Sequence, residues 1–226
     1  MVADMYSELI SNKLESPTTY GARSGRIDRI TPHCVVGNIP AMNVARMFAS
    51  PQRKASSNYI IGKDGEIVGC VPEDVAACTS HSSINDKRAI TIECASGLTA
   101  PYKFEPIVVD SLVNLTVDIM KRYNKKELVW IPEKIAALDY NTGTDKMIIT
   151  LHRWFDKVEC PGAWLIENME TYVYRVNKAL KEPEIVSNII YRVQVGAFKN
   201  KANAERLRDE LKTKGYNDCF IKEDRL

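Results

Sequence analysis

Residues 147–162 read MIITLHRWFDKVECPG, and the fold class turns on how this stretch must be laid down. Residues 147–151 are a continuous apolar run with two isoleucines and a threonine, the composition of a buried strand. His152 sits where that strand ends. Eight positions later Cys160 is followed by Pro161 and Gly162, a pair that stops the loop and turns the chain towards the next helix. A strand end and a tethered loop therefore aim an imidazole and a thiol at one point. Zinc accepts both ligand types, and a catalytic zinc takes three protein ligands while keeping a fourth position open.

The third ligand has to come from elsewhere, because catalytic constellations gather side chains from separate parts of a sequence. His33 lies in RITPHCVV, residues 29–36, a second apolar and β-branched run. A lone strand histidine or a lone cysteine reads as core. Two strand-borne histidines with a loop cysteine read as a metal centre.

Composition sets the outer bounds. At 226 residues the chain can bury a full core and suits one enzyme domain plus a small accessory unit. The 31 basic residues are interspersed with 29 acidic ones, for a net charge of +2, which argues against a nucleic-acid partner. The opening MVADMYSELISNKLESPTTYG carries Asp4 and Glu8 and has no apolar core of signal-peptide length, and no span approaches transmembrane length. The expectation is a protein without membrane insertion, cytoplasmic in the producing cell. Six cysteines without a C-x-x-C pair favour reduced thiols over a disulfide framework.

Along the chain, residues up to about 26 read as an irregular, polar lead-in, and 29–36 as the strand carrying His33. A helix is predicted over 41–49, ended by Pro51, then a hairpin over 59–61 and 67–70 whose Asp64-Gly65 supplies the positive φ of a tight turn. Residues 71–83 read as a winding loop containing His81. The alternation in 89–94 makes a strand with Ile90 and Ile92 on one face and Glu93 on the other, where a carboxylate among apolar neighbours must have a task or a partner. Helices are predicted over 105–123 and 163–180, a strand over 128–131 and a loop over 132–146. After a linker at 181–184, the pattern is strand 191–198, helix 202–213 and strand 219–222.

His33, His152 and Cys160 with their HRWF and CPG flanks, SSNYIIGKDG at 56–65 and NDKRAITIE at 85–93 together resemble the type-2 N-acetylmuramoyl-L-alanine amidases. That family includes many phage endolysins and the peptidoglycan-recognition proteins. The resemblance runs in order from about residue 24 to about residue 179. It implies an α/β fold: a central mixed β-sheet flanked by helices, with a zinc site at one edge of the sheet. It implies Zn²⁺ held by His33, His152 and Cys160, with peptidoglycan as substrate, cut at the amide between N-acetylmuramic acid and L-alanine after release onto the cell wall. Glu93 matches the family's catalytic glutamate, and His81 falls among groove-lining polar residues.

The chain departs from the family pattern at two positions. Ser57 stands where a tyrosine often faces the metal, and Val158 where related phage enzymes carry a lysine, leaving Lys157 or His81 to stabilise the oxyanion. The rival readings are a non-catalytic peptidoglycan-binding module of the same fold and a structural zinc domain, the latter lacking a fourth ligand.

YRVQVGAF, NKANAERL and KGY in the last stretch resemble the opening half of a sporulation-related repeat, a family that binds peptidoglycan glycan strands. The expected division is therefore a catalytic domain over 1–181 and, over 182–226, a small βαβ unit that lacks its second half. The unit's unpaired sheet edge would serve wall binding or a homodimer through the C-terminal segment.

Overall fold

The computed structural model describes residues 6–23, 25–182 and 193–223. The chain divides into two compact units, Met1–Pro183 and Glu184–Leu226. In chain order the first unit comprises β1 (Asn12–Lys13), β2 (Thr19–Ala22), β3 (Arg29–Cys34), α1 (Ala41–Ala49), β4 (Tyr59–Ile61), β5 (Ile67–Gly69) and β6 (Val75–Ala77). It continues with α2 (Ser83–Asp86), β7 (Ala89–Cys94), α3 (Pro106–Arg122), β8 (Glu127–Val129), α4 (Lys134–Asp139), β9 (Lys146–Ile149), α5 (Ala163–Glu167) and α6 (Met169–Lys181). The second unit contributes α7 (Lys201–Thr213).

Seven strands form one sheet in the order β1-β5-β4-β7-β3-β9-β8. Every neighbouring pair is parallel except β4 and β5. Those two are the expected hairpin. Gly65 sits in its turn at φ 80°, and a Cβ there would lie 2.7 Å from Ile107 Cγ1, so the turn needs glycine for both its conformation and its space.

The period of two along the strands separates two faces. On one face Ile30, Tyr59, Ile61, Ile90, Ile92 and Ile149 pack under α3 and α6, which supply Leu112, Leu115, Ile119, Met169, Tyr172 and Val176. Each such side chain contributes roughly 1.5–3 kcal/mol by leaving water. Helix α3 starts on Pro106 and ends on Lys121 and Arg122, a proline where the missing N–H is harmless and cations where the helix dipole is negative.

The opposite face is divided. Over β4 and β5 it is apolar, with Ile60, Val68 and Cys70 under Ala41, Val44, Ala45 and Phe48 of α1. Over the centre of the sheet it is polar. Arg29, Thr31 and His33 of β3, Thr91 and Glu93 of β7, and Thr150 beyond β9 fall on this side by alternation. Helix α2 and the chain before it lie over its lower part, where Asn85 and Asp86 are fully buried.

In the first unit, four expectations need correction. The lead-in is not wholly irregular: β1 pairs with β5, and β2 pairs antiparallel with β6, which itself lies inside the stretch read as a winding loop. These strands are short, and TYGA of β2 is exposed at most positions, so no apolar alternation announces them. The 132–146 loop contains α4. The helix expected over 163–180 is broken at Asn168 into α5 and α6.

In the second unit α7 forms as expected, with Asn200 capping its amino end by accepting from the Ala202 N–H at 2.9 Å. The flanking stretches 193–198 and 219–222 are not strands; residues 191 and 192 lie outside the described residues. A strand exists only as one side of a hydrogen-bonded ladder, and among the described residues of this unit none pairs with them. The expected sheet edge is therefore absent there, although Val193, Val195 and Phe198 are exposed.

Candidate metal centre

In an open parallel sheet, the strands' carboxyl ends are where loops diverge and leave room for a ligand. His33 is the fifth residue of the six-residue β3, and Glu93 is its direct partner at the same level of β7. His152 lies just past β9, where the chain tightens into a 3₁₀ turn, His152–Trp154. The loop that follows returns Cys160 to β3. The Cys34 N–H donates to Cys160 Sγ at 3.4 Å, and His33 Nδ1 lies 3.3 Å from the same sulfur.

The turn behind Cys160 explains the Cys-Pro-Gly run. Gly162 has φ 91°, and a Cβ on it would meet Tyr102 Cβ at 2.9 Å and the Pro101 carbonyl oxygen at 3.0 Å. Only glycine lets the chain pass that point.

Candidate ligand atoms of His33, His152 and Cys160 all lie within 4.8 Å of one another. The two imidazole rings are 5.0 Å apart, centre to centre. Both rings have a buried Nε2 without a hydrogen-bond partner. Buried polar atoms are normally paired, so two unpartnered nitrogens on adjacent rings beside a thiol mark a place for an electrophile. Two neutral imidazoles with a sulfur fit a zinc-like ion, whereas an oxygen-seeking cation would want carboxylates.

Electrostatics supports the same assignment. Burial pushes the His33 pKa well below its usual value, reinforced by His152 and His81, and burial lowers that of His152 with His81 adding to it. Both imidazoles are thus kept neutral, the form that binds metal. The Cys160 thiol is pushed well up, first by its hydrogen bond with Cys34 and then by burial, so binding an ion must displace its proton. The Glu93 carboxyl is raised to about 7 by desolvation, opposed by the Arg53 guanidinium. A carboxyl at that value can both take and return a proton near neutrality.

His81 also reaches the site. Its ring lies 5.5 Å from that of His152, edge to face, and its Nδ1 is 2.5 Å from Asp156 Oδ2. His81 has φ 56°, a left-handed conformation that a non-glycine residue holds only when its surroundings impose it. Lys157 is different. Its side chain is exposed, and its described contact is a backbone N–H donated to Asp156 Oδ1 at 2.7 Å. Val158 is exposed on the same loop, and Ser57 is buried, its hydroxyl tied to the Tyr59 and Thr91 carbonyls at 2.9 Å each.

Sequence reasoning did not single out Asp156, Cys34 or Asn85. Asp156 sits within the quoted loop, yet nothing in its spacing distinguishes a carboxylate that orients His81 from a solvated one. Cys34 follows His33 on an apolar strand and reads as core.

Residues 23–163 match the family model described as N-acetylmuramoyl-L-alanine amidase. The chain belongs to that family. An amidase of this kind acts on peptidoglycan, and residues 187–225 match the SPOR domain model besides. Among solved structures, PlyL is 16% identical with a TM-score of 0.55, the match covering 74% of this chain and 96% of PlyL. The PlyG catalytic domain is 19% identical, with a TM-score of 0.54 and coverage of 77% and 98%. A mutant endolysin from Bacillus subtilis is 16% identical, with a TM-score of 0.50 and coverage of 74% and 99%. At these identities the likeness establishes the fold. No curated protein matches the amidase chain. Among the described residues, no helix is long and apolar enough to cross a membrane.

Proposed function

We propose that this amidase is a zinc-dependent, wall-lytic hydrolase of the endolysin or autolysin type. It would cleave the amide between the lactyl group of N-acetylmuramic acid and L-alanine. The observation that carries the zinc reading is the convergence of candidate ligand atoms of His33, His152 and Cys160 within 4.8 Å, on two rings that each keep a buried, partnerless nitrogen. His33, His152 and Cys160 would hold the ion. When bound, zinc supplies a Lewis acid that polarises a carbonyl and lowers the pKa of water.

The chain's own residues supply the rest. Glu93, level with His33 on the adjacent strand, takes the proton of the attacking water. It then hands that proton to the departing amine, which leaves poorly until protonated. His81, gripped at Nδ1 by Asp156, presents its other ring nitrogen to the oxygen that becomes negative in the tetrahedral state. Lys157 adds a flexible ammonium at the rim, in the place of the cation that Val158 cannot provide.

The C-terminal segment, residues 182–226, serves wall attachment or self-association through its exposed Val193, Val195 and Phe198, with no part in the chemistry. Its match to the SPOR domain supports a peptidoglycan partner.

The deciding experiment incubates purified cell wall with the zinc-loaded protein and follows two products. New L-alanine amino termini without new reducing sugar ends are expected. Reducing ends would identify a glycosidase, and wall binding with neither product would identify a non-catalytic module.

A further inference from the structure

The backbone ladder joining the two histidine-bearing strands stops short of the histidines. The Asp28 and Ile30 carbonyls accept from the Ile148 and Thr150 N–H groups, each at 3.0 Å, so alternate residues at this end of β3 face β9. Pro32 is next in that series. Proline has no N–H to give, and the β3–β9 register ends at Ile30 and Ile149. Both strands then run on for two or three residues to His33 and His152 without a described backbone bond between them.

Side chains on the polar face take over at that point. Thr31 and Thr150, each two residues before a ligand histidine, join their hydroxyls at 2.7 Å. Fully buried Asn85 closes the triangle: its Nδ2 donates to Thr31 Oγ1 at 3.2 Å, and its Oδ1 accepts from Thr150 Oγ1 at 3.0 Å. Arg29 Nη1 also donates to that Oδ1, at 3.1 Å. The next residue grips the loop that presents His81. Asp86 Oδ2 accepts from the Thr79 and Ser80 N–H groups at 2.9 Å each, and its Oδ1 accepts from the Ser80 hydroxyl at 2.5 Å.

We infer that Asn85 is the positioning residue of the metal centre, holding the two histidine-bearing strand ends at ligating separation through Thr31 and Thr150, while Asp86 fixes the loop of His81. Stability alone gives little reason for this triangle. Polar groups cost free energy to bury, and exchanging bonded partners for apolar groups of the same shape is often nearly neutral. What the hydroxyls and the amide provide is direction, so that the imidazoles need not be drawn together when an ion arrives. Groups that orient metal ligands commonly govern affinity in this way.

The inference rests on the zinc reading, and one experiment separates the two. Zinc affinity is measured by competition with a chromophoric chelator for wild type, His33→Ala, Thr150→Val, Thr150→Ser and Asn85→Ala. The absorption spectrum of each cobalt-loaded protein reports ligand geometry, and urea unfolding of the metal-free proteins reports stability. Thr150→Val and Asn85→Ala should bind zinc roughly 10-fold to 100-fold more weakly with an altered cobalt spectrum. Thr150→Ser, which keeps the hydroxyl, should restore both. Should Asn85→Ala not fold, the Thr150 pair decides alone. Wild-type affinity and spectrum in Thr150→Val would overturn the positioning role while leaving the ligands standing. Equal zinc binding by wild type and His33→Ala would overturn the ligand reading, and the positioning role with it.

Discussion

The two faces of the central sheet are built from the same strands and answer to different physics. On the α3 and α6 side, Ile30, Ile90, Ile92 and Ile149 meet Leu112, Ile119 and Val176, and the requirement is volume and apolarity. On the other side, one residue along each strand, Thr31, His33, Thr91 and Glu93 are gathered, and the requirement is direction. The first face tolerates exchange at the cost of stability. The second converts a small displacement into loss of function, because its polar atoms are held by specific, directional partners. In this fold one face supplies the stability, and the other carries the chemistry.

The sharpest way to break that comparison is to remove a ligand. His33→Ala, His152→Ala and Cys160→Ser should each lose most of the roughly one zinc per chain expected of a three-ligand centre, and wall hydrolysis with it. Elemental analysis of the purified variants measures this directly. A Cys160→Ser protein with full zinc and full activity would refute the ligand set.

The next effect in size separates binding from turnover on the same face. Glu93 lies beside the ligands without being one of them, so Glu93→Gln should keep its zinc and still sediment with cell wall. Its rate should fall by roughly two to four orders of magnitude, the usual worth of a positioned base. Lysis close to the wild-type rate would remove Glu93 from the mechanism.

The contrast between faces also accounts for what was legible in the sequence. The apolar face announces itself by period: strands 29–34, 59–61, 67–69 and 89–94 and helix 106–122 lie where alternation or helical spacing places them. That His33, His152 and Cys160 come together was legible because their residue types are chemically specific. What stayed hidden depends on pairing across long sequence separations. Strand β2, mostly exposed, finds β6 more than fifty residues away, and no local pattern encodes that partnership. Asn85 bridges Thr31 and Thr150, and Asp156 reaches His81; each is an ordinary polar residue until the fold brings its partner near. The strands expected around α7 failed for the converse reason. The alternation in 193–198 is real, but no neighbouring strand among the described residues pairs with it.

A smaller effect, of the opposite kind, should come from the apolar face. Leu112 is fully buried against the sheet, and Leu112→Ala leaves a cavity that costs about 2–5 kcal/mol of folding stability. Urea unfolding should show that loss. Zinc content and hydrolysis rate, measured well below the melting temperature, should stay near wild type. Loss of zinc in a folded Leu112→Ala protein would show that the two faces are coupled.

The smallest effect on chemistry is expected from the second unit. His33, His81, Glu93, Asp156, His152 and Cys160 all precede α5, and the last helix of the first unit ends at Lys181. No described residue of the second unit is buried, so that unit has little core with which to shape a catalytic groove. What it offers is exposed apolar surface at Val193, Val195, Phe198, Tyr216 and Phe220. Such surface suits contact with a polymer or with a second copy of the chain. Ending the chain after Lys181 should therefore leave zinc content and the hydrolysis of small soluble muropeptides unchanged. Sedimentation with whole cell walls should weaken, or the mass in solution should fall from dimer to monomer. Small muropeptides are the informative substrate because they need the metal centre and its groove but no second point of attachment. A folded, zinc-loaded truncation that no longer cleaves them would place residues beyond 181 in the catalytic domain and move the boundary between the two functions towards the end of the chain.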